Sequence, residues 1–234
     1  MIGSDSITIP YLFIVLGLLP LAGIRSYVRL KSGKPLPPKN RRYVAMISGQ
    51  VLLVAYSFLV AGKNGLNLLG RVPGVWAFVG SGLYLALIAL RMQRGWKKLS
   101  AERKQRARVL LPENLEEMRY WVPISLLAGL SEECAFRGMA YIGLRKVTGS
   151  AILSTVVCVA AFAIAHMMQG WRGVLGTGVI ALLLHGIVYL TQGLYLATVV
   201  HAAYDLVVGG IAVRHFRQDE MAVTQAAESL SSGG

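Results

Sequence analysis

Apolar runs about 20 residues long recur along this chain, and they constrain it more than any other feature. They fall at 7–24, 43–62, 75–90, 121–142, 151–168, 174–190 and 194–213. A helix of about 20 apolar residues crosses a hydrocarbon core about 30 Å thick. Seven such runs fit a chain of 234 residues and leave only short loops. No run alternates polar and apolar residues at period two over the length of a barrel strand, so strands are not expected. The expected fold is all-α, a polytopic transmembrane helical bundle of about seven spans, with six to eight as the range. Gly173, Gly176, Gly178, Gly186 and Gly193 could break the sixth run or let it pack closely.

Charge bears on this architecture through its placement. Charged residues make up only 15% of the chain, yet Lys and Arg number 24 against 11 Asp and Glu. A net charge of +13 raises nucleic acid as a partner, but the basic residues cluster at 25–42 and 91–108, beside apolar runs and with few aromatics between them. Anchoring to anionic membrane lipid accounts for them better, and no nucleic-acid partner is expected. The leader before the first run carries Asp5 and no Lys or Arg, whereas Arg25 and Arg29 follow it, so that run is expected to be retained with its N-terminus outside. Alternation then places 25–42, 91–120, the 169–173 turn and the C-terminal tail inside. These segments hold 19 of the 24 basic residues, against four in the outer segments. The expected location is an integral multi-pass membrane protein, in the plasma membrane if prokaryotic, with a cytoplasmic C-terminus.

Three regions follow. Residues 1–111 are read as anchoring spans and a basic, interfacial cytoplasmic arm, 112–213 as the functional core, and 214–234 as a polar, disordered tail. Cys134 and Cys158 both lie within apolar runs, which excludes a disulfide framework and points to buried packing.

Ionisable side chains within a bilayer cost roughly 2.5–3.5 kcal/mol each and therefore mark function or specific pairing. Here they gather in the second half: Glu132, Glu133 and Arg137 in one span, His166 in the next, and His201 with Asp205 in the last. On a helix, residues four apart share a face and adjacent ones diverge by about 100°. Glu133 then faces Arg137, leaving Glu132 as the candidate reactive carboxylate. Phe162 shares a face with His166, and His201 with Asp205, where an Asp can orient an imidazole. His185 and His215 are read as structural. The alternative for Glu132, Glu133 and Arg137 is an ion cluster that only pins helices together.

The ordered set Glu-Glu-x-x-x-Arg at 132–137, Phe-x-x-x-His at 162–166 and His-x-x-x-Asp at 201–205 resembles the CPBP family of intramembrane proteases, also called Abi, which includes the CAAX prenyl proteases. The family's third motif ends in Asn or a related polar residue, so Asp205 departs from it. The resemblance spans about 112–213 and implies hydrolysis of a peptide bond within the membrane. By that resemblance Glu132, helped by His166, activates water, while His201 and Asp205 hold the oxyanion or the scissile carbonyl. Glu133, Arg137 and Phe162 support them. A carboxylate at 205 would repel an oxyanion unless turned away, so Asp205 is expected to orient His201.

The implied substrate is a membrane-associated peptide, a prenylated C-terminal tail or a bacteriocin precursor. Glu132, His166 and His201 could also ligate zinc as a metalloprotease would, but the His-Glu-x-x-His spacing is missing, and chemistry without a cofactor is the expectation. Two other classes fit buried Glu, His and Asp: an ion- or proton-coupled transporter, and a non-catalytic scaffold or bacteriocin-immunity protein. The chain shows no internal repeat that would favour the transporter.

Overall fold

In the computed structural model, which describes residues 7–232, most of the described residues are helical and none is in a strand. Eight helices follow in order. They are α1 (Thr8–Lys31), α2 (Lys39–Lys63), α3 (Val75–Trp96), α4 (Ala101–Leu110), α5 (115–148), α6 (Ala151–Ala165), α7 (Trp171–Thr191) and α8 (Tyr195–Ser232). Each of the seven apolar runs lies on one of these helices; α4 is the charged extra one. By length and composition α1, α2, α3, α7 and α8 can each cross a membrane. The rod α5 carries three charges in its middle, and α6 is a shorter apolar helix. The glycines of the sixth run leave α7 unbroken.

Local chemistry fixes the boundaries. Asn114 caps α5 by accepting the Glu117 backbone N–H at 2.9 Å, with Glu116 and Glu117 in the positive first turn. The rod ends where Gly149 takes φ +69°, a left-handed conformation open to glycine at little cost, and Ser150 then caps α6 through the Leu153 N–H. Within the rod, Leu115–Glu132 is α-helical and Glu133–Ala140 is π-helical. A single π turn inside an α-helix is a frequent mark of functional sites.

The core lies where α1, α2, α5 and α6 meet, around Tyr11, Val60, Phe136, Met139, Cys158 and Phe162. Both cysteines are free and buried there or beside it. By contrast, the most apolar stretch of α3 buries none of its residues; Leu83 and Leu87 are each about two-thirds exposed. Apolar surface on that scale suits hydrocarbon rather than water.

The two ends of the bundle are distinct. At one end the 25–42 linker, α4, the turn after α6 and the far part of α8 come together. Lys39 pairs with Glu113 and Glu117, Arg42 donates to the Val109 carbonyl, Lys104 pairs with Asp219, and α4 packs on Met167–Gln169. At the other end, Leu69 O accepts from the N–H groups of Leu194 and Tyr195, tying the 64–74 loop to the start of α8. Segments expected to share a side of the membrane therefore do share an end. The arm also packs on the bundle, with Trp96 buried against Ile211, Ala212 and Phe216 of α8.

The expected disordered tail is corrected in part. Helix α8 continues to Ser232, through Glu220, Met221, Ala222 and Glu228, all good helix formers, and Glu220 O accepts from the Thr224 hydroxyl. Gly233 and Gly234 lie outside the described residues.

Candidate active site

Four helices converge on one polar cluster. α5 supplies Ser131, Glu132, Glu133 and Arg137, α6 supplies Phe162 and, just past its last residue, His166, α8 supplies His201 and Asp205, and α2 supplies Gln50. Close approach of α5 and α8 depends on Gly129. A Cβ there would lie 2.8 Å from the Ala202 Cβ and nitrogen and from the Thr198 carbonyl oxygen, one turn or less from His201. Trp121 locks the same pair of helices further along by donating its Nε1–H to the Asp205 carbonyl oxygen at 2.9 Å.

The two glutamates diverge as helical geometry requires. Glu133 is fully buried, and its Oε1 receives Arg137 at 3.1 Å and His201 Nδ1 at 2.7 Å. The Arg137 guanidinium also lies over the Phe162 ring, 4.2 Å from its centre, so its charge is spread between a carboxylate and a π face. Glu132 points elsewhere. Its Oε1 accepts from Gln50 Nε2 at 2.8 Å, while its Oε2 lies 3.9 Å from His166 Nε2 and 3.8 Å from His201 Nε2, with no hydrogen bond of its own.

These contacts assign the ring nitrogens. His166 Nδ1 lies 2.8 Å from the Phe162 carbonyl oxygen, which can only accept, so Nδ1 carries the proton. The neutral ring then offers a lone pair at Nε2 toward Glu132. His201 Nδ1 faces a carboxylate and likewise donates, so its Nε2 can donate as well only when the ring is an imidazolium. The side chain of Glu132 retains 14% exposure and that of His166 27%, while Oε2 of Glu132 is itself buried.

Glu132, Glu133, Arg137, Phe162, His166 and His201 are thus brought together. Asp205 stands at the edge, its Oδ2 3.8 Å from His201 Nε2, beyond hydrogen-bond reach. Asp205, expected to orient His201, makes no hydrogen bond to that ring; the carboxylate within reach of it is Glu133, which the i,i+4 spacing assigns to Arg137 alone. Gln50 is a site contact that charge counting on the first three spans overlooks, since an amide is not ionisable. Its signal in sequence is a lone long polar side chain within the apolar run 43–62. Among the described residues no three His, Cys, Asp or Glu side chains are arranged to hold a metal ion, so the set Glu132, His166 and His201 gives the metalloprotease reading no support. His185 is buried edge-on against Tyr141, within electrostatic reach of Glu133 and Arg137, and His215 stacks on Trp96.

Residues 114–207 match the family model described as type II CAAX prenyl endopeptidase, Rce1-like. The match covers all three motifs, and the resemblance to CPBP proteases is borne out over that segment. No curated protein and no solved structure matches the chain.

Proposed function

We propose, from the match of residues 114–207 to a family of type II CAAX prenyl endopeptidases, that this protein is an intramembrane endopeptidase that cleaves a membrane-associated peptide, with a prenylated C-terminal tail as the substrate class. The observation that carries the chemistry is the free oxygen of Glu132 facing two imidazole nitrogens at 3.8 and 3.9 Å.

In this reading Glu132 Oε2 takes a proton from water, and the His166 Nε2 lone pair accepts the water's other hydrogen. The new oxygen–carbon bond forms at the scissile carbonyl, whose π electrons move onto oxygen. His201, held by Glu133 as an imidazolium, donates its Nε2–H to that oxyanion. Collapse breaks the carbon–nitrogen bond, and the departing amine takes the proton back from Glu132. No metal is needed for this sequence. Asp205 lies on the Nε2 side of His201 and supplies counter-charge to the ring between turnovers.

The substrate class also has local support. A small apolar recess between α3, α7 and α8, with room for about one water, is lined by Tyr84, Leu85, Ile180, Leu184 and Ile187 and has His201 and Tyr204 in its wall. That lining has the apolar chemistry of an isoprenoid chain, and the recess would have to widen to admit one beside the imidazole.

The test is cleavage of a panel of farnesylated and unmodified peptides by the purified protein in lipid, followed by mass spectrometry with and without a chelator. Cleavage of the farnesylated members alone, unchanged by chelator and lost in Glu132→Gln, is expected. Loss of wild-type cleavage on chelation, restored by zinc, would turn the assignment to the metal-dependent form.

A further inference from the structure

We infer that Gln50, on an anchoring helix outside the matched segment, is the positioning residue that decides which oxygen of Glu132 acts. This rests on the reading of Glu132 as the base.

The orientation of the Gln50 amide follows from its neighbours. A carboxylate oxygen accepts and never donates, so the group 2.8 Å from Glu132 Oε1 must be the amide nitrogen. On the other side, the buried Ser131 hydroxyl donates to Gln50 Oε1. Flipping the amide would set its oxygen against the carboxylate, acceptor against acceptor. Both ends therefore agree, and the amide is held in one orientation by two adjacent residues of α5.

The consequence falls on Glu132. Its two oxygens are made unequal: Oε1 is occupied by a donor, and Oε2 is left with no hydrogen bond and faces His166 and His201. A carboxylate free to rotate would share its lone pairs among several arrangements, whereas this one presents a single oxygen to the imidazoles. Fixed geometry of this sort lowers a barrier by positioning the group before the reaction begins. The side chain doing so comes from α2, 82 residues earlier in the chain. The first half of the protein then contributes to the site rather than only anchoring it.

The test compares Gln50→Met, Gln50→Glu and Glu132→Gln with wild type on a quenched fluorescent farnesylated peptide, each variant checked for folding by thermal unfolding in the same lipid. Gln50→Met keeps the length of the side chain and removes the donor. Its kcat is expected to fall about 10- to 100-fold, the range for one charge-assisted hydrogen bond, with KM changed less than about twofold. Gln50→Glu can donate to Glu132 only while the pair retains a shared proton, so its kcat optimum should move to lower pH and there exceed that of Gln50→Met. A purely structural role would move neither the kcat–KM split nor the pH optimum. Should Gln50→Met yield little folded protein, the pH profile of Gln50→Glu decides by itself. An inactive Glu132→Gln beside a Gln50→Met with wild-type kcat, or a Gln50→Glu with an unshifted profile, overturns the inference alone. Full turnover by Glu132→Gln overturns the base assignment beneath it.

Discussion

His201 Nδ1 lies 2.7 Å from Glu133 Oε1, and the same oxygen receives Arg137 at 3.1 Å, so one buried carboxylate of α5 ties α8 to a cation of its own helix. Removing its charge strands both partners. Glu133→Gln is expected to destabilise the protein by about 3–5 kcal/mol, the usual penalty for leaving a buried charge unpaired, and to lower turnover as His201 loses its fixed ring. Glu132→Gln keeps the Gln50 contact within reach and should unfold within a few degrees of wild type while losing activity. Thermal unfolding in matched lipid separates the two; equal melting temperatures would mean that the Glu133 cluster does not hold the helices together.

Gly129 sets how near α5 comes to α8. Since a Cβ there would sit 2.8 Å from Ala202 and Thr198 backbone atoms, Gly129→Ala must push the helices apart by tenths of an ångström. Overpacking of this kind costs about 1–3 kcal/mol. The displacement also moves His201 relative to Glu132, so turnover should fall further than stability alone explains. Gly176→Ala is the control, because no heavy atom lies within 4 Å of the position its Cβ would take. Matched activities of the two variants would disprove the crossing argument.

How much of this was legible in sequence differs by residue. The seven helices and the Glu133–Arg137 pair follow from apolar run length and the 3.6-residue period, which act locally and survive in any packing. The partner of His201 does not. Asp205 is four residues from it on the same helix and Glu133 is 68 residues away, so a rule limited to one helix selects Asp205. Tertiary packing of α5 on α8 reverses that choice. Gln50 escaped for a related reason: its contact exists only between helices, and its neutral amide gives no charge signal. The helix over residues 218–232 is hidden in sequence because their polar side chains mask the helix propensity of Ala and Glu.

Glu113, outside the spans, gives a pH test of the arm. Burial raises its carboxyl, but hydrogen bonds from Lys39 at 3.0 Å and Arg108 at 2.8 Å outweigh this and hold it below its ordinary value of 4.5. A group lowered on folding adds stability that is fully present above its unfolded value and is lost as pH falls through the folded one. The melting-temperature gap between wild type and Glu113→Gln should therefore be constant above about pH 6 and close as pH drops below about 4. A gap that widens on acidification would show that the sign is wrong. Because the side chain is one-third exposed, salt should shrink the gap as well.

Topology is the last expectation that the fold makes testable. The 25–42 linker, α4, the turn after α6 and residue 219 of α8 share one end, while the 64–74 loop and the start of α8 share the other. The alternation is thus built into the packing, and only the sign is left to the charge bias of 19 basic residues against four. The positive-inside rule assigns the α4 end to the cytoplasm. Because the native cysteines are both buried, single cysteines at Ser100 and Asn64 can be read without removing them. A membrane-impermeant maleimide applied to intact cells should modify position 64 and spare position 100 until the membrane is opened. His166 leads into the turn that packs on α4, so the same experiment decides the side from which a peptide reaches Glu132. Labelling of position 100 from outside the cell would invert the whole bundle and rule out a cytosolic tail as its substrate.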